Sequence, residues 1–377
     1  MKAVLLLEDG LCVEGAAFGA EVETIGEVVF NTAMSGYQEI LTDPSYRGQI
    51  VCMTYPLIGN YGITAHDKES GCVQVEGFIV KERSRIVSNW QAQQGLDEYL
   101  KEHKVVGIEN IDTRMITKRL REKGAMKGVI ATGEYKLKRL KEKLKASPSI
   151  IGRDLVKTVT CTEMYEWTEG LEYRGASEVS EKTKTVVVID CGVKFSILRN
   201  LKEQFNRVIV APARISFPEL ITLKPDAVVI SNGPGDPEPV RYVISLAREI
   251  IEKLRRKELS VGLMGICLGH QIIGLAFGGR AEKLKFGHHG GNHPVKDHAT
   301  GQIDITSQNH NFIVPEYTLP QDELVPTHVN LYDRTLEGLR HKTLPIVSVQ
   351  FHPEAGPGPF DARYIFEKFK KMVDSLG

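Results

Sequence analysis

Three short stretches carry residue types that could do chemistry together. The first is Gly265-Ile266-Cys267-Leu268-Gly269, a cysteine between two glycines, after an apolar run and before a histidine–glutamine pair. A buried cysteine that only fills space has no need of flanking glycines. A strand running straight into a helix does need them, because the residue at the bend takes a strained turn whose neighbours must be small. The turn lifts the sulfur clear of the sheet and sets it at a helix N-terminus, where the partial positive charge favours thiolate over thiol. It also leaves the Leu268 N–H free for an oxyanion.

A thiolate needs a base, and the base an orienting group. Of eleven histidines, His352 in "VSVQFHPEAGPGP" is best placed, since "PIVSVQF" (345–351) reads as a strand that would end on it. Glu354 lies two residues on and points to the same side if the chain is extended. Pro353 restricts both itself and His352. Glu354 would then hold the imidazole in one tautomer. The third stretch, "SNGPGDPEP" (231–239), follows another strand and exposes backbone donors suited to an oxyanion hole or to ligand amides. Each stretch alone has a bland reading as a turn or a surface loop, and their combination is what favours chemistry.

These pieces need strand ends to hold them, and the second half of the chain supplies a regular alternation. "TVVVID" (185–190), "VIVA" (208–211), "AVVIS" (227–231) and "VGLMGI" read as buried strands. "KFSILRNLKEQF", residues 240–257 and "HQIIGLAFGG" read as helices between and after them. The expected fold is α/β, a mainly parallel sheet covered by helices, with its site outside the carboxyl ends of the strands. The first ninety residues, with "AVLLLEDG", "EVVFNTAMSG", "QIVCMTYPLIG" and "GFIVKE", suggest a smaller, β-rich α/β domain. Helices are expected over 113–123, capped by Thr113, and over 136–145, with Leu137, Leu140 and Leu144 on one stripe inside a basic surface. The polar stretch 166–184 reads as a linker, giving domains 1–165 and 185–377.

Composition narrows the classes. The 377 residues carry 48 basic and 48 acidic side chains, so no global field favours nucleic acid or a membrane surface. No signal-peptide core or membrane-length apolar run is expected. The six cysteines (12, 52, 72, 161, 191, 267) form no C-x-x-C pair, so a cytoplasmic setting is expected rather than disulfides or zinc. His288, His289, His293 and His298 lie in "GHHGGNHPVKDH", read as a polar loop rather than a metal site.

Taken in order, "SNGPGDP", "GICLGHQ" and "QFHPE" resemble the class I glutamine amidotransferases. "FNTAMSGYQEILTDPSYRGQIV", "YPLIGNYG", "IDTRMITKRLREKGAMKG" and "FGHHGGNHPVKD" extend the resemblance, over nearly the whole chain, to the small subunits of carbamoyl phosphate synthetases. The resemblance implies Cys267 as nucleophile, His352 as acid and base, and Glu354 as its orienter. It implies oxyanion donors from Gly233 and Leu268. Glutamine would be held by Ser45, Gly235, Gln271, Asn309 and Phe312, with Asn311 standing where the family has glycine. Asparagine tolerates a left-handed backbone better than most residues, should the position require one. There is no G-x-x-x-x-G-K-[ST] loop. The resemblance therefore implies no cofactor in this chain, ATP and magnesium on a separate large subunit, and a heterodimer or a higher oligomer of heterodimers. Alternatives at this stage are the glutaminase component of another synthetase, a stand-alone γ-glutamyl cysteine hydrolase, and a binding subunit that has lost catalysis.

Overall fold

The computed structural model describes residues 1–171 and 184–376 and divides into two compact units. One comprises Met1–Arg153 with Leu284–Gly290 and Gly356–Gly358; the other comprises Asp154–Lys283, Gly291–Ala355 and Pro359–Gly377. The division at Arg153/Asp154 precedes the stretch read as a linker. Within that stretch, Tyr165–Trp167 is a strand paired antiparallel with Arg207–Pro212. Residues 172–183 of it lie outside the described residues.

The second unit is built on a sheet whose central five strands are parallel. In spatial order these are Arg207–Pro212, Thr185–Asp190, Ala227–Ile230, Gly262–Ile266 and Ile346–Val349. Antiparallel strands Leu336–His341 and Leu324–Asn330 continue it. Period-two alternation decides which residues meet which helices. Val187, Ile189, Val228, Ile230 and Leu263 share one apolar cluster with Val243, Ala247, Ile250 and Leu254 of helix Arg241–Arg255. Val186, Val188, Val229, Met264 and Ile266 share the other with Leu198 and Leu201 of helix Phe195–Gln204 and Phe366 and Phe369 of helix Tyr364–Asp374. Both faces are covered, which is why these strands read as unbroken apolar runs.

The first unit closes a barrel in the order Lys2–Leu7, Cys12–Gly19, Val106–Glu109, Gly77–Ile79, Gln49–Met53, Thr24–Asn31, Met126–Thr132. Closure leaves none of these seven strands with an unpaired edge. Helix Thr113–Lys123 forms where expected, but its cap is Asp112, which accepts the Met115 N–H at 2.9 Å. Helix Leu137–Ala146 buries Leu140 and Leu144, whereas Leu137 is exposed.

The histidine-rich stretch read as a polar loop is instead part of strand Glu282–Asp297, with His288, His289 and His293 buried and His298 exposed. The backbone here is paired in its turn; the carbonyl of His293, for example, accepts from Thr306 Oγ1 at 2.9 Å.

Candidate active site

The bend at Cys267 is as tight as its sequence implies. Cys267 has φ 53° and ψ −103°, outside the regions open to ordinary side chains, and helix Leu268–Ala276 starts at the next residue. The glycines on either side are there for space. A Cβ on Gly265 would lie 2.5 Å from the Gly269 carbonyl oxygen, and one on Gly269 would lie 2.0 Å from that of Ile230. No side chain fits at either position, so strand and helix pack backbone to backbone. Gly233 is constrained similarly, with a Cβ meeting the Cys191 carbonyl oxygen at 2.2 Å. Gly235 takes φ 82°, the conformation glycine adopts freely. Among the described residues, neither the Gly233 N–H nor the Leu268 N–H donates a hydrogen bond.

His352 follows strand Ile346–Val349 and is tied to the neighbouring strand Ile303–Ile313 through its N–H, which donates to the Ser307 carbonyl at 2.9 Å. Its Nδ1 lies 2.6 Å from Glu354 Oε1. The two side chains meet by a route the sequence did not indicate. His352 to Ala355 is a hydrogen-bonded turn, with the Ala355 N–H donating to the His352 carbonyl at 3.1 Å, rather than extended chain. Pro353 occupies the second position of that turn, where its fixed φ is favoured.

Sequence reasoning missed Lys194. Its ammonium, itself buried, donates to Glu354 Oε1 at 2.9 Å and to the Ala355 carbonyl. Lys194 is the N-cap of helix Phe195–Gln204, where a cation opposes the helix dipole. That misplaced charge is the one sequence signal for it. Gln350 was missed as well; its Nε2 approaches Cys267 Sγ at 3.7 Å, while the thiol lies 3.6 Å from the Asn309 carbonyl oxygen.

The electrostatics follow from burial and pairing. Burial raises the Glu354 carboxyl, but Lys194 and His352 outweigh it and hold the group well below the usual carboxylate range. Burial likewise opposes charge on His352, yet Glu354, and then a thiolate at Cys267, push the imidazole well above its ordinary value. Among the described residues its buried Nε2 meets no partner at ordinary hydrogen-bond geometry, and Cys267 is the neighbour that acts on it. His270, three residues past Cys267, is the counterexample. It is fully buried beside Ser348 Oγ at 2.9 Å with no carboxylate, and burial drives it down to about 3. Of two buried histidines close to Cys267 in the fold, one is set up to hold a proton and the other to refuse it.

The residues expected around a substrate divide between the units. Gly235, Gln271, Asn309, Asn311 and Phe312 belong to the unit that holds Cys267, and Ser45 belongs to the other. Ser45 sits in a short 3₁₀ turn and donates its N–H to Asp43 Oδ1 at 2.9 Å. Gln271 Nε2 donates to the Phe312 carbonyl at 2.7 Å and to Gln350 Oε1 at 3.1 Å, leaving its own carbonyl oxygen without a donor among the described residues. Asn311 lies within strand Ile303–Ile313 and is not among the residues of positive φ, so the left-handed conformation considered for it does not arise.

Comparison with known proteins decides the lineage. Residues 5–130 match the family described as carbamoyl-phosphate synthase small chain, CPSase domain, and residues 187–372 match glutamine amidotransferase class-I. The carbamoyl phosphate synthase small chain of Aquifex aeolicus is 54% identical over 374 residues, covering 98% of each chain. That of Syntrophotalea carbinolica is 51% identical, covering 99% of this chain and 98% of the relative. The chain belongs to the carbamoyl phosphate synthase small-chain family. As a small chain it carries the glutamine amidotransferase domain of a glutamine-dependent carbamoyl phosphate synthase. The Cys267 bend and the His352–Glu354 pair both fall inside the amidotransferase match.

Proposed function

We propose that this chain hydrolyses glutamine to glutamate and ammonia and passes the ammonia to a large synthetase subunit, which forms carbamoyl phosphate from bicarbonate and ATP. The observation that carries the reading is a chain of buried charges. Lys194 holds Glu354, Glu354 holds His352, and the array stands at a strand end with the strained Cys267 at a neighbouring one.

In this mechanism the resting pair is a Cys267 thiolate and a His352 imidazolium. The thiolate attacks the side-chain amide carbon of glutamine, and the new oxyanion is held by the Gly233 and Leu268 N–H groups. As the C–N bond breaks, His352 gives its proton to the departing nitrogen and ammonia leaves. The neutral imidazole then takes a proton from water, whose oxygen attacks the γ-glutamyl thioester. The C–S bond breaks, glutamate is released, and thiolate and imidazolium are restored. Glu354 keeps one tautomer in place throughout, and Lys194 keeps Glu354 ionised. Gly235, Gln271, Asn309, Asn311 and Phe312 hold the substrate; the carbonyl oxygen of Gln271, without a donor among the described residues, suits an ammonium donor.

A partner chain is supported by what the first unit exposes. Trp90 is 90% and Ile86 75% exposed, with Tyr55 and Leu57 also open to solvent, large apolar side chains of the kind enriched at protein interfaces. ATP and magnesium belong to that partner, and a cytoplasmic setting in arginine and pyrimidine synthesis follows from the product. Among the described residues no helix is long and apolar enough to cross a membrane.

The test is Cys267→Ser in a complex reconstituted with a large subunit. Glutamine-dependent carbamoyl phosphate formation should fall by about 10⁴-fold while ammonia-dependent formation persists. Equal loss of both would overturn the assignment of Cys267.

A further inference from the structure

On the side of the second unit's sheet covered by helix Tyr364–Asp374, the helix does not cover the strands completely. A cavity of about 230 Å³ remains, floored by Met264, Val347 and Val349 and walled by Ile365, Phe369 and Met372. Its lining is thus overwhelmingly apolar, and polar groups converge at its border. Arg340, exposed, makes no ion pair among the described residues. Lys368 lies 3.3 Å from Asp297 Oδ2 and keeps an exposed ammonium. His328 is buried, with Nδ1 2.8 Å from Thr327 Oγ1 and Nε2 without a hydrogen-bond partner among the described residues. An apolar hollow with a few convergent polar groups is the usual form of a small-molecule site.

The charges at the border choose the ligand's sign. Asp297, the one acid lining the cavity, is already satisfied: its Oδ1 accepts the Ala299 and Thr300 N–H groups and its Oδ2 faces Lys368. Burial lowers His328 to about 4, so at neutral pH it adds a hydrogen-bonding group and no charge. What remains unbalanced is positive, from Arg340. A cationic headgroup would meet Arg340 and Lys368 as like charges, and an anionic one would be drawn to both. The volume falls below the roughly 300–1,000 Å³ of sites for drug-sized ligands, which limits the occupant to a compact one.

We propose that this cavity binds a small amphiphilic carboxylate, its apolar chain or ring lying over Met264, Val347 and Val349 and its carboxylate at Arg340 and Lys368. The site is separate from the glutamine-hydrolysing residues, yet it shares their scaffold. Met264 lies on the strand that ends one residue before Cys267, and Val349 ends the adjacent strand, three residues before His352. An occupant would therefore rest on the two strands that carry the active site. Binding itself does not depend on the glutaminase reading and can be measured without turnover.

The test uses the full-length chain with ¹³C-labelled methionine methyl groups and octanoate as probe. Saturable shifts of the Met264 and Met372 methyl signals are expected, with a Kd of about 0.1–1 mM. Octylammonium should bind at least about tenfold more weakly, a difference of about 1.4 kcal/mol. Arg340→Glu, a surface change that leaves the fold alone, should weaken octanoate at least about fivefold, and Val347→Trp should fill the cavity and abolish the shifts. Absence of a saturable response to octanoate overturns the proposal. So does equal binding of octylammonium, or an Arg340→Glu variant that binds octanoate as well as the parent chain.

Discussion

Both units set parallel strands side by side, and the proposed reactive site lies at the strand ends of the second. In the first unit, Thr24–Asn31, Gln49–Met53, Gly77–Ile79 and Val106–Glu109 run parallel, and the residues beyond three of them, Thr54, Lys81 and Asn110, line a cavity of about 740 Å³. A cysteine is present there too. Cys52, however, lies inside its strand, wholly buried, and burial pushes its thiol up to about 12. In the second unit the cysteine stands one residue past its strand, at φ 53°, with an imidazole and a carboxylate at the end of the adjacent strand. Parallel topology supplies the hollow in both cases. Reactivity needs the bend that brings the sulfur out of the sheet and a buried charge array to work with it.

The sharpest way to test that contrast is to break the array without touching the sulfur. Glu354→Gln keeps the side chain's shape but offers Nδ1 an amide, so the imidazole loses both its fixed tautomer and its charge partner. Glutaminase kcat is expected to fall by about 10³–10⁴-fold. The same change strands the buried Lys194 ammonium, so unfolding free energy should drop by about 3–5 kcal/mol. A urea titration and a glutaminase assay on one preparation measure both. If Lys194→Met in the Glu354→Gln background restores stability while activity stays low, the stability cost came from the unpaired charge. If stability does not recover, the pair is not what Glu354 contributes.

Next in size is the bend itself. Gly269→Ala places a methyl group 2.0 Å from a backbone oxygen that cannot rotate away, so strand and helix must separate. A loss of about 3 kcal/mol or more is expected, with glutaminase activity falling alongside. Gly71 of the first unit is the control: a Cβ there meets nothing within 4 Å, and Gly71→Ala should change stability by no more than about 0.5 kcal/mol.

How much of this was legible in sequence depended on how local the cause was. The Gly265–Gly269 bend could be read because five consecutive residues contain all of it. The strands of the second unit could be read because burial on both faces makes each an unbroken apolar run. Lys194 could not, since its partner lies 160 residues away and one lysine after a strand looks like any other. The His352–Glu354 contact was expected for a reason the fold does not use, extended geometry instead of a turn. The stretch 287–298 reads as a loop because, Val295 apart, the buried positions of strand Glu282–Asp297 are histidines, glycines and an aspartate, which show no apolar alternation. Which chain ends lie beside one another is a property of barrel and sheet closure, and composition carries no trace of it.

A smaller effect distinguishes the two buried histidines. Glu354 is lowered in the fold, so its contribution to stability is present above its ordinary value of 4.5 and is lost only as pH falls through the depressed value. His352 is raised, so its contribution is full below its ordinary value of 6.5 and is lost as pH rises toward about 10. The stability advantage of the parent chain over His352→Gln should therefore be flat from about pH 5 to 6.5 and shrink steadily up to about pH 9. An advantage that instead grows between about pH 5 and 6.5 and is level above would mean that His352 is held neutral in the fold, as His270 is.

The smallest effect concerns Asn311, the one departure from the family pattern among the residues expected at the substrate. A glycine in that position would matter if the backbone needed a left-handed turn, or if a side chain would crowd the ligand. The first reason is absent, because Asn311 is in strand Ile303–Ile313 without positive φ. The second can be weighed by removing the side chain. Asn311→Gly should cost about 0.5–1 kcal/mol of stability from added chain freedom in a strand, and shift KM for glutamine by no more than about threefold, with kcat unchanged. Steady-state kinetics with a thermal melt separates the two. A KM that rises tenfold at constant kcat would instead make the Asn311 amide a direct contact for glutamine, a side-chain contribution that a glycine at this position cannot make.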